Sequence, residues 1–254
     1  MAAPATAGVR TSDSGSITAM RAKRKAEYHH GNLRRALIDA AVSAIAKHGI
    51  SALNLRQLAA RAGVTPGAPY HHFASREELL RAVAEEGFER LETDLITACD
   101  AAGAEAGGRL EALGRAYVEF AVSRPGYFRV MFHGDANSSG PTEPDLRAFH
   151  LLRDAVLACQ EAGTAPAGDP GALVLTAWSA VHGFATLWVD RALPFEGMRP
   201  ELMAPELGRL LARMFAALAR VQPQNGKSRL DRAGVLPASS SLSRVLRATV
   251  SRNS

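Results

Sequence analysis

An all-α fold is what this sequence predicts, and three observations carry the prediction. Apolar residues recur every third or fourth position, as in Leu33, Leu37, Ala41 and Ile45, the stripe of a helix that buries one face. Glycines, prolines and capping residues punctuate such stripes at helical lengths. Nowhere does a Val/Ile/Thr-rich run alternate apolar and polar positions, the period of a half-buried strand.

The elements follow in order. The first stripe ends near Gly49, and a shorter helix runs from about Leu55 to Ala62, where Gly63 stops it. Thr65 followed by Pro66 suits the cap and first position of a third, short helix. Ser75 with Glu78 forms a capping box, so a long helix is predicted from there to about Ala102. Gly107–Gly108 and Arg124-Pro125-Gly126 bracket a helix holding Leu110, Leu113, Tyr117 and Phe120. A short segment with Tyr127, Phe128, Met131 and Phe132 precedes a loop from His133 to Pro144. Three more helices are predicted, at 145–162, 170–192 and 200–221. Residues 1–26 and 223–254 are polar and basic, and read as a disordered arm and tail.

With 254 residues, 47% of them apolar, the chain can bury a sizeable core in one or two units. Two cysteines, Cys99 and Cys159, give no disulfide framework and fit a reduced, cytoplasmic setting. Met1 to Arg10 lack the apolar run of an export signal. The net charge of +5 is unevenly spread. Residues 1–73 carry ten Lys/Arg against three Asp/Glu, residues 74–222 fourteen against twenty-one, and residues 223–254 six against one. A basic front joined to an acidic body fits a chain of which one part meets a polyanion, nucleic acid or an anionic membrane.

From Pro170 to Val189 there is no Asp, Glu, Lys or Arg, over about the length of a membrane span. Thr176, Ser179, His182, Gly183 and Thr186 within it, and Asp169 and Asp190 at its ends, instead suit a helix buried on all sides. No basic cluster on one flank sets a membrane orientation.

Residues 54–73 place a short helix, a glycine-centred turn and a second short helix within about twenty residues, the spacing of a helix-turn-helix. Asn54 can cap the first helix. Leu58, Ala62 and Val64 supply the apolar contacts between the two, Ala59 is small where they approach, and Gly63 permits the turn. An ordinary pair of short core helices has the same pattern. In a helix-turn-helix, the second helix presents its early residues to base edges in the major groove. Here these are Thr65, Pro66, Gly67, Ala68 and His71, of which Thr65 and Ala68 can meet a thymine methyl. No arginine lies in that helix. Arg56, on the preceding one, either reaches a base or is a surface charge.

The segment from Leu33 through Ser75 resembles the DNA-binding domain of the tetracycline-repressor-like (TetR) family of bacterial regulators. The resemblance rests on Ala40-Ala41, His48-Gly49, Arg56…Ala59…Ala62-Gly63-Val64, Tyr70-His71-His72-Phe73 and Ser75-Arg76-Glu77-Glu78-Leu79. Tyr28-His29-His30-Gly31-Asn32-Leu33-Arg34 and Ala177-Trp178…Val181-His182-Gly183 resemble the subgroup named for a Trp/His/Gly signature. The resemblance implies a DNA-binding domain over 27–91 and a helical ligand-binding and dimerisation domain over 92–222. It further implies a homodimer paired through its last two helices, a palindromic operator in double-stranded DNA, and a small-molecule effector that releases it.

Tyr70, His72 and Arg76 match positions that hold phosphates in the family, although either histidine can be structural. Pro69 stands where the family usually has leucine. It removes a backbone N–H and biases Ala68 away from helical geometry, so a short or irregular recognition helix is expected. Lys23, Arg24 and Lys25 reach phosphate or an adjacent minor groove, or form a solvated tail. For the effector, Tyr117, Phe120, Phe128, Met131, Phe132, Trp178, His182 and Phe184 are either pocket walls or core. Trp178 and His182 lie one helical turn apart and share a face.

Enzyme readings lack support. There is no Gly-x-Ser-x-Gly elbow, phosphate loop, Gly-x-Gly-x-x-Gly or zinc-type Cys/His spacing, and the adjacent pairs His29-His30 and His71-His72 do not share a helix face. No catalytic residue, metal or cofactor is expected. The alternatives are an activator of the same fold, or a helical partner-binding or membrane-surface protein.

Overall fold

The computed structural model describes residues 33–133, 143–193 and 197–221; the arm and tail, with Lys23, Arg24 and Lys25, lie outside them. Among the described residues every regular element is helical. Helix α1 covers residues 33–48, α2 Leu55–Arg61, α3 Arg76–Ala102, α4 Ala106–Ser123, α5 Pro125–Met131, α6 Glu143–Glu161, α7 Gly171–Val189 and α8 Pro200–Val221. Short 3₁₀ turns occupy Ile50–Ala52 and Ala68–His71.

Local chemistry sets these bounds. Gly49 adopts a left-handed φ of 77° as its N–H closes on the Ile45 carbonyl, which stops α1. The capping box forms at the start of α3: Ser75 Oγ accepts from the Glu78 N–H, and the Glu78 carboxylate accepts from the Ala74 N–H at 2.7 Å. Arg191, with φ 55°, and an Ala192 N–H bonded to the Leu187 carbonyl close α7 three residues before the expected 192. The segment holding Tyr127 and Phe128 is itself a helix, opened by Pro125 at its first turn.

The 27-residue α3 is the spine, about 40 Å long at 1.5 Å per residue. Its first half buries Leu79, Leu80 and Val83 beside Leu37, Ile45 and Leu58 of the basic front, and its second half buries Leu91 and Leu95 in the body. The boundary expected near residue 91 falls inside this helix. In the body, α4 packs against α3, α6, α7 and α8. A Cβ at Gly208 would lie 2.7 Å from the Glu111 carbonyl, so α8 and α4 are in backbone contact.

Helix α7 is long and apolar enough to cross a bilayer. It buries one stripe, Val174, Ala177, Val181, Ala185 and Val189, while Leu175 and Leu187 are exposed. Within the single chain one face of α7 is covered; the burial on all sides expected for it would need a partner copy over the other.

Candidate nucleic-acid interface and aromatic cluster

The helix-turn-helix is built as the spacing requires up to its turn. Asn54 Oδ1 accepts from the Arg56 N–H at 2.9 Å and caps α2. Leu58 and Ala59 are buried, Ala62 and Val64 pack against the core, and Gly63 turns the chain at φ 69°. The second helix is short and irregular, as expected from Pro69, and differs from expectation in its cap. It is one 3₁₀ turn, capped by Gly67 and not by Thr65. The reason is covalent. An α-helix beginning at Pro66 needs the N–H of residue 69 for its first bond to the Thr65 carbonyl, and Pro69 has none. That carbonyl accepts from the Ala68 N–H instead, and Tyr70 and His72 continue the i→i−3 pattern onto Gly67 and Pro69. Pro69 itself is buried.

The side chains this turn presents are those the sequence singled out. Thr65, Pro66, Gly67 and His71 are exposed, Tyr70 is 50% exposed, and Ala68 and His72 are half-buried. Arg56 is exposed on the adjacent α2. Arg76 is half-buried, and its Nη2 donates to the Ile50 carbonyl at 3.0 Å, tying the start of α3 to the turn after α1.

In the body, five of the eight named effector residues come together. The His182 ring lies 4.6 Å from Phe132, 5.1 Å from Trp178, 5.5 Å from Phe128 and 6.2 Å from Tyr117, centroid to centroid. Tyr117 Oη and His182 Nδ1 are 2.8 Å apart. Burial raises the Tyr117 phenol well above its ordinary value and lowers the His182 imidazole, so both are neutral near pH 7. The other three lie elsewhere. Phe120 is buried under the Arg124 guanidinium, Phe184 stacks on Trp188, and Met131 packs over Gly87 of α3. For Phe184 the cause is the helical period: two residues from His182 is about 200° around the helix.

Between front and body lies a polar junction. Glu86 of α3 accepts from Arg35 of α1 at 2.6 Å, from Arg90 at 2.6 Å and from the Tyr127 hydroxyl of α5 at 2.8 Å. Burial alone would raise the Glu86 carboxyl, but these donors outweigh it and hold the group below the usual carboxylate range. Arg129 of α5 donates to the Ala46 carbonyl of α1 at 3.0 Å and to the Val189 carbonyl of α7 at 2.6 Å, the last turns of two helices.

Comparison with known proteins agrees with this geometry. A family model described as "Bacterial regulatory proteins, tetR family" matches residues 37–83, and one described as "Tetracyclin repressor-like, C-terminal domain" matches residues 110–217. A solved protein of unknown function from Rhodococcus sp. RHA1 is 35% identical, with 74% of this chain and 98% of that one covered at a TM-score of 0.62. The chain belongs to the tetR family of bacterial regulatory proteins.

The regulator also shares 38% identity over 69 residues, 27% of its length, with the HTH-type transcriptional regulator BetI of Rhizobium meliloti (strain 1021). That match spans about a third of the curated relative, 34%. The structure of AibR in complex with isovaleryl coenzyme A and operator DNA is 19% identical and shares the fold, covering 71% of the regulator and 98% of that chain at a TM-score of 0.58.

Reading the sequence missed the junction residues of the regulator. Arg35, Glu86, Arg90 and Arg129 look like solvated helix charges in a one-dimensional pattern. Tyr127 was legible only as an apolar neighbour of Phe128. Their significance depends on α5 folding back onto α1, which no periodicity encodes.

Proposed function

We propose that this chain is a homodimeric, effector-responsive transcriptional repressor that binds a palindromic operator in double-stranded DNA. The observation that carries the reading is the helix-turn-helix whose exposed tip presents Thr65, Pro66, Gly67, Tyr70 and His71 beside an exposed Arg56. Thr65, Pro66, Gly67, Ala68 and His71 face base edges, while Tyr70, His72 and Arg76 hold phosphate and fix the register. Arg56 reads a base from outside the recognition turn. The basic charge of the first 73 residues supplies the sequence-independent attraction.

The dimer rests on apolar surface that one chain leaves uncovered. On α8, Leu210 is 60% and Leu218 48% exposed, with Met203 and Met214 beside them in the same helical repeat, and Leu175 and Leu187 are exposed on α7. Pairing α7 and α8 with their copies buries this surface and sets two recognition turns about one DNA turn apart. Residues 27–91 act as the DNA-reading unit and 92–222 as the effector and dimer unit, with α3 shared. AibR, in the same fold, is a protein solved with both a small molecule and operator DNA, which supports an effector-responsive reading; the place we propose for the effector is the Tyr117–His182 cluster. A reader of chromosomal operators acts in the cytoplasm, and its role is regulation and not catalysis.

The test is selection of fragments of the source genome by purified full-length protein at moderate salt. Enrichment of one palindrome with half-sites one turn apart is expected, and a reporter downstream of it should be lowered by the protein. Absence of any enriched palindrome overturns the reading, and a reporter raised by the protein replaces repressor with activator.

A further inference from the structure

An open groove of about 590 Å³ lies between α1 and α3, where the DNA head meets the body. Arg34, Arg35 and Ile38 line it from the first turns of α1, and α3 lines it from Ala82 to Thr93, about 17 Å of helix. Most of its charge is already committed. Glu86 pairs with Arg35 and Arg90, and Arg35 pairs with Asp39 as well. The Arg34 guanidinium lies over the Phe73 ring, 5.3 Å from its centre.

Two carboxylates are left. Glu85 and Glu89 both line the groove, one helical turn apart on α3, and neither carboxylate is hydrogen-bonded or ion-paired among the described residues. Like charges four residues apart on a helix repel, so a cation placed between them relieves the pair as well as neutralising it.

The route of the chain brings such cations to this place. Leu33 is buried, and the next two residues already line the groove, so the chain enters α1 at the groove's rim. Lys25 stands eight residues before Leu33, with Arg24 and Lys23 next to it. Eight extended residues span up to about 26 Å, more than the length of α3 along the groove, so the basic segment has the reach to meet Glu85 and Glu89. A tether this short gives an effective concentration of about millimolar, which suits ion pairs that are each weak at a surface.

We propose that Glu85 and Glu89 dock the chain's own basic segment, Lys23, Arg24 and Lys25, in the α1–α3 groove while no DNA is bound. DNA phosphate competes for the same three cations and releases them. Docking thereby lowers the affinity for non-specific DNA. The docking stands by itself; its release rests on the DNA-binding reading above.

The test is carbodiimide cross-linking of full-length protein, which joins a lysine to a carboxylate where the two touch. The chain has few lysines, Lys23, Lys25, Lys47 and Lys227, so the products are simple to assign by mass spectrometry. In a mixture of isotope-labelled and unlabelled chains, cross-links from Lys23 or Lys25 to Glu85 or Glu89 are expected within one chain. Their yield should be about fivefold above that to the exposed Glu161 and Glu201, and should fall about fivefold in high salt or with excess random-sequence DNA. Glu85→Gln combined with Glu89→Gln should speed trypsin cleavage after Lys23, Arg24 and Lys25 several-fold, with circular dichroism unchanged. No such cross-link, a yield no higher than to Glu161 and Glu201, cross-links only between copies, or equal cleavage in the folded double variant overturns the docking. If the double variant does not fold, the cross-link decides. Cross-links undiminished by saturating DNA overturn the competition with phosphate. Failure of the palindrome selection with the salt-sensitive cross-link intact removes the operator reading and leaves the docking standing.

Discussion

Gly126, in the first turn of α5, lies directly against the Val42 carbonyl of α1: a Cβ built there would overlap that oxygen and touch the Val42 side chain at 2.9 Å. The body helix α5 and the DNA-head helix α1 are therefore in backbone contact. Because the obstacle is a helical carbonyl and not a flexible side chain, it cannot step aside.

Gly126→Ala should lower stability by about 1–3 kcal/mol, the usual cost of forcing extra volume into a packed contact. Thermal unfolding measures this. A melting temperature equal to wild type would mean that α5 and α1 do not dock as described.

The Glu86 junction gives a pH-dependent prediction. Its carboxyl is lower in the folded chain than in the unfolded one, whose value is about 4.3. The stability it contributes is then fully present above that value and is lost as pH falls through the folded value. Glu86→Gln should cost about 1–2 kcal/mol at pH 7, and the gap to wild type should close as the pH is lowered past 4 toward the folded value. Denaturant unfolding at pH 7 and at several points below 4.5 tests the sign. A gap that widens in acid would show that Glu86 is not held ionised by Arg35, Arg90 and Tyr127.

Arg129 connects the end of α1 to the end of α7, and α7 also carries Trp178 and His182. Arg129→Met keeps most of the stem and removes the donors, leaving last-turn carbonyls of both helices short of partners. It should cost about 1–3 kcal/mol. Amide hydrogen exchange should also quicken at Lys47, His48 and Gly49 and at Asp190 and Arg191 together. Faster exchange at only one of the two ends would show that the residue caps a single helix.

The helices were legible in the sequence because their signals are local. Gly49, Ser75 with Glu78, and Pro125 each act within one turn, and they set boundaries that the structure keeps. The exposed tip from Thr65 to His71 was legible for the same reason. The sorting of the aromatic residues was not: Phe120 and Phe184 have the right chemistry for the His182 cluster, and only the packing of α4 and α7 directs them to Arg124 and Trp188. Glu86 and Arg129 carry ordinary surface charge until α5 closes on α1. Long-range docking is the part that local propensity cannot state.

Pro69 joins both kinds of signal, because its covalent effect is local and its consequence falls on DNA. Its ring is buried, so Pro69→Leu keeps apolar contact with the core while restoring the N–H that an α-type bond to the Thr65 carbonyl requires. The turn at 68–71 should lengthen toward an α-helix beginning at Pro66, and the residue 69 amide should be protected from exchange. Thr65, Ala68 and His71 would then present a different arc to the groove. On the operator recovered by genomic selection, Pro69→Leu should change which base pairs are preferred, with the salt dependence of binding unchanged if Tyr70 and His72 hold phosphate as proposed. Arg56→Ala serves as the internal comparison. It should also alter preference, whereas Tyr70→Phe should weaken all sequences alike. An unprotected residue 69 amide together with an unchanged preference would mean that Pro69 does not set the shape of the recognition turn.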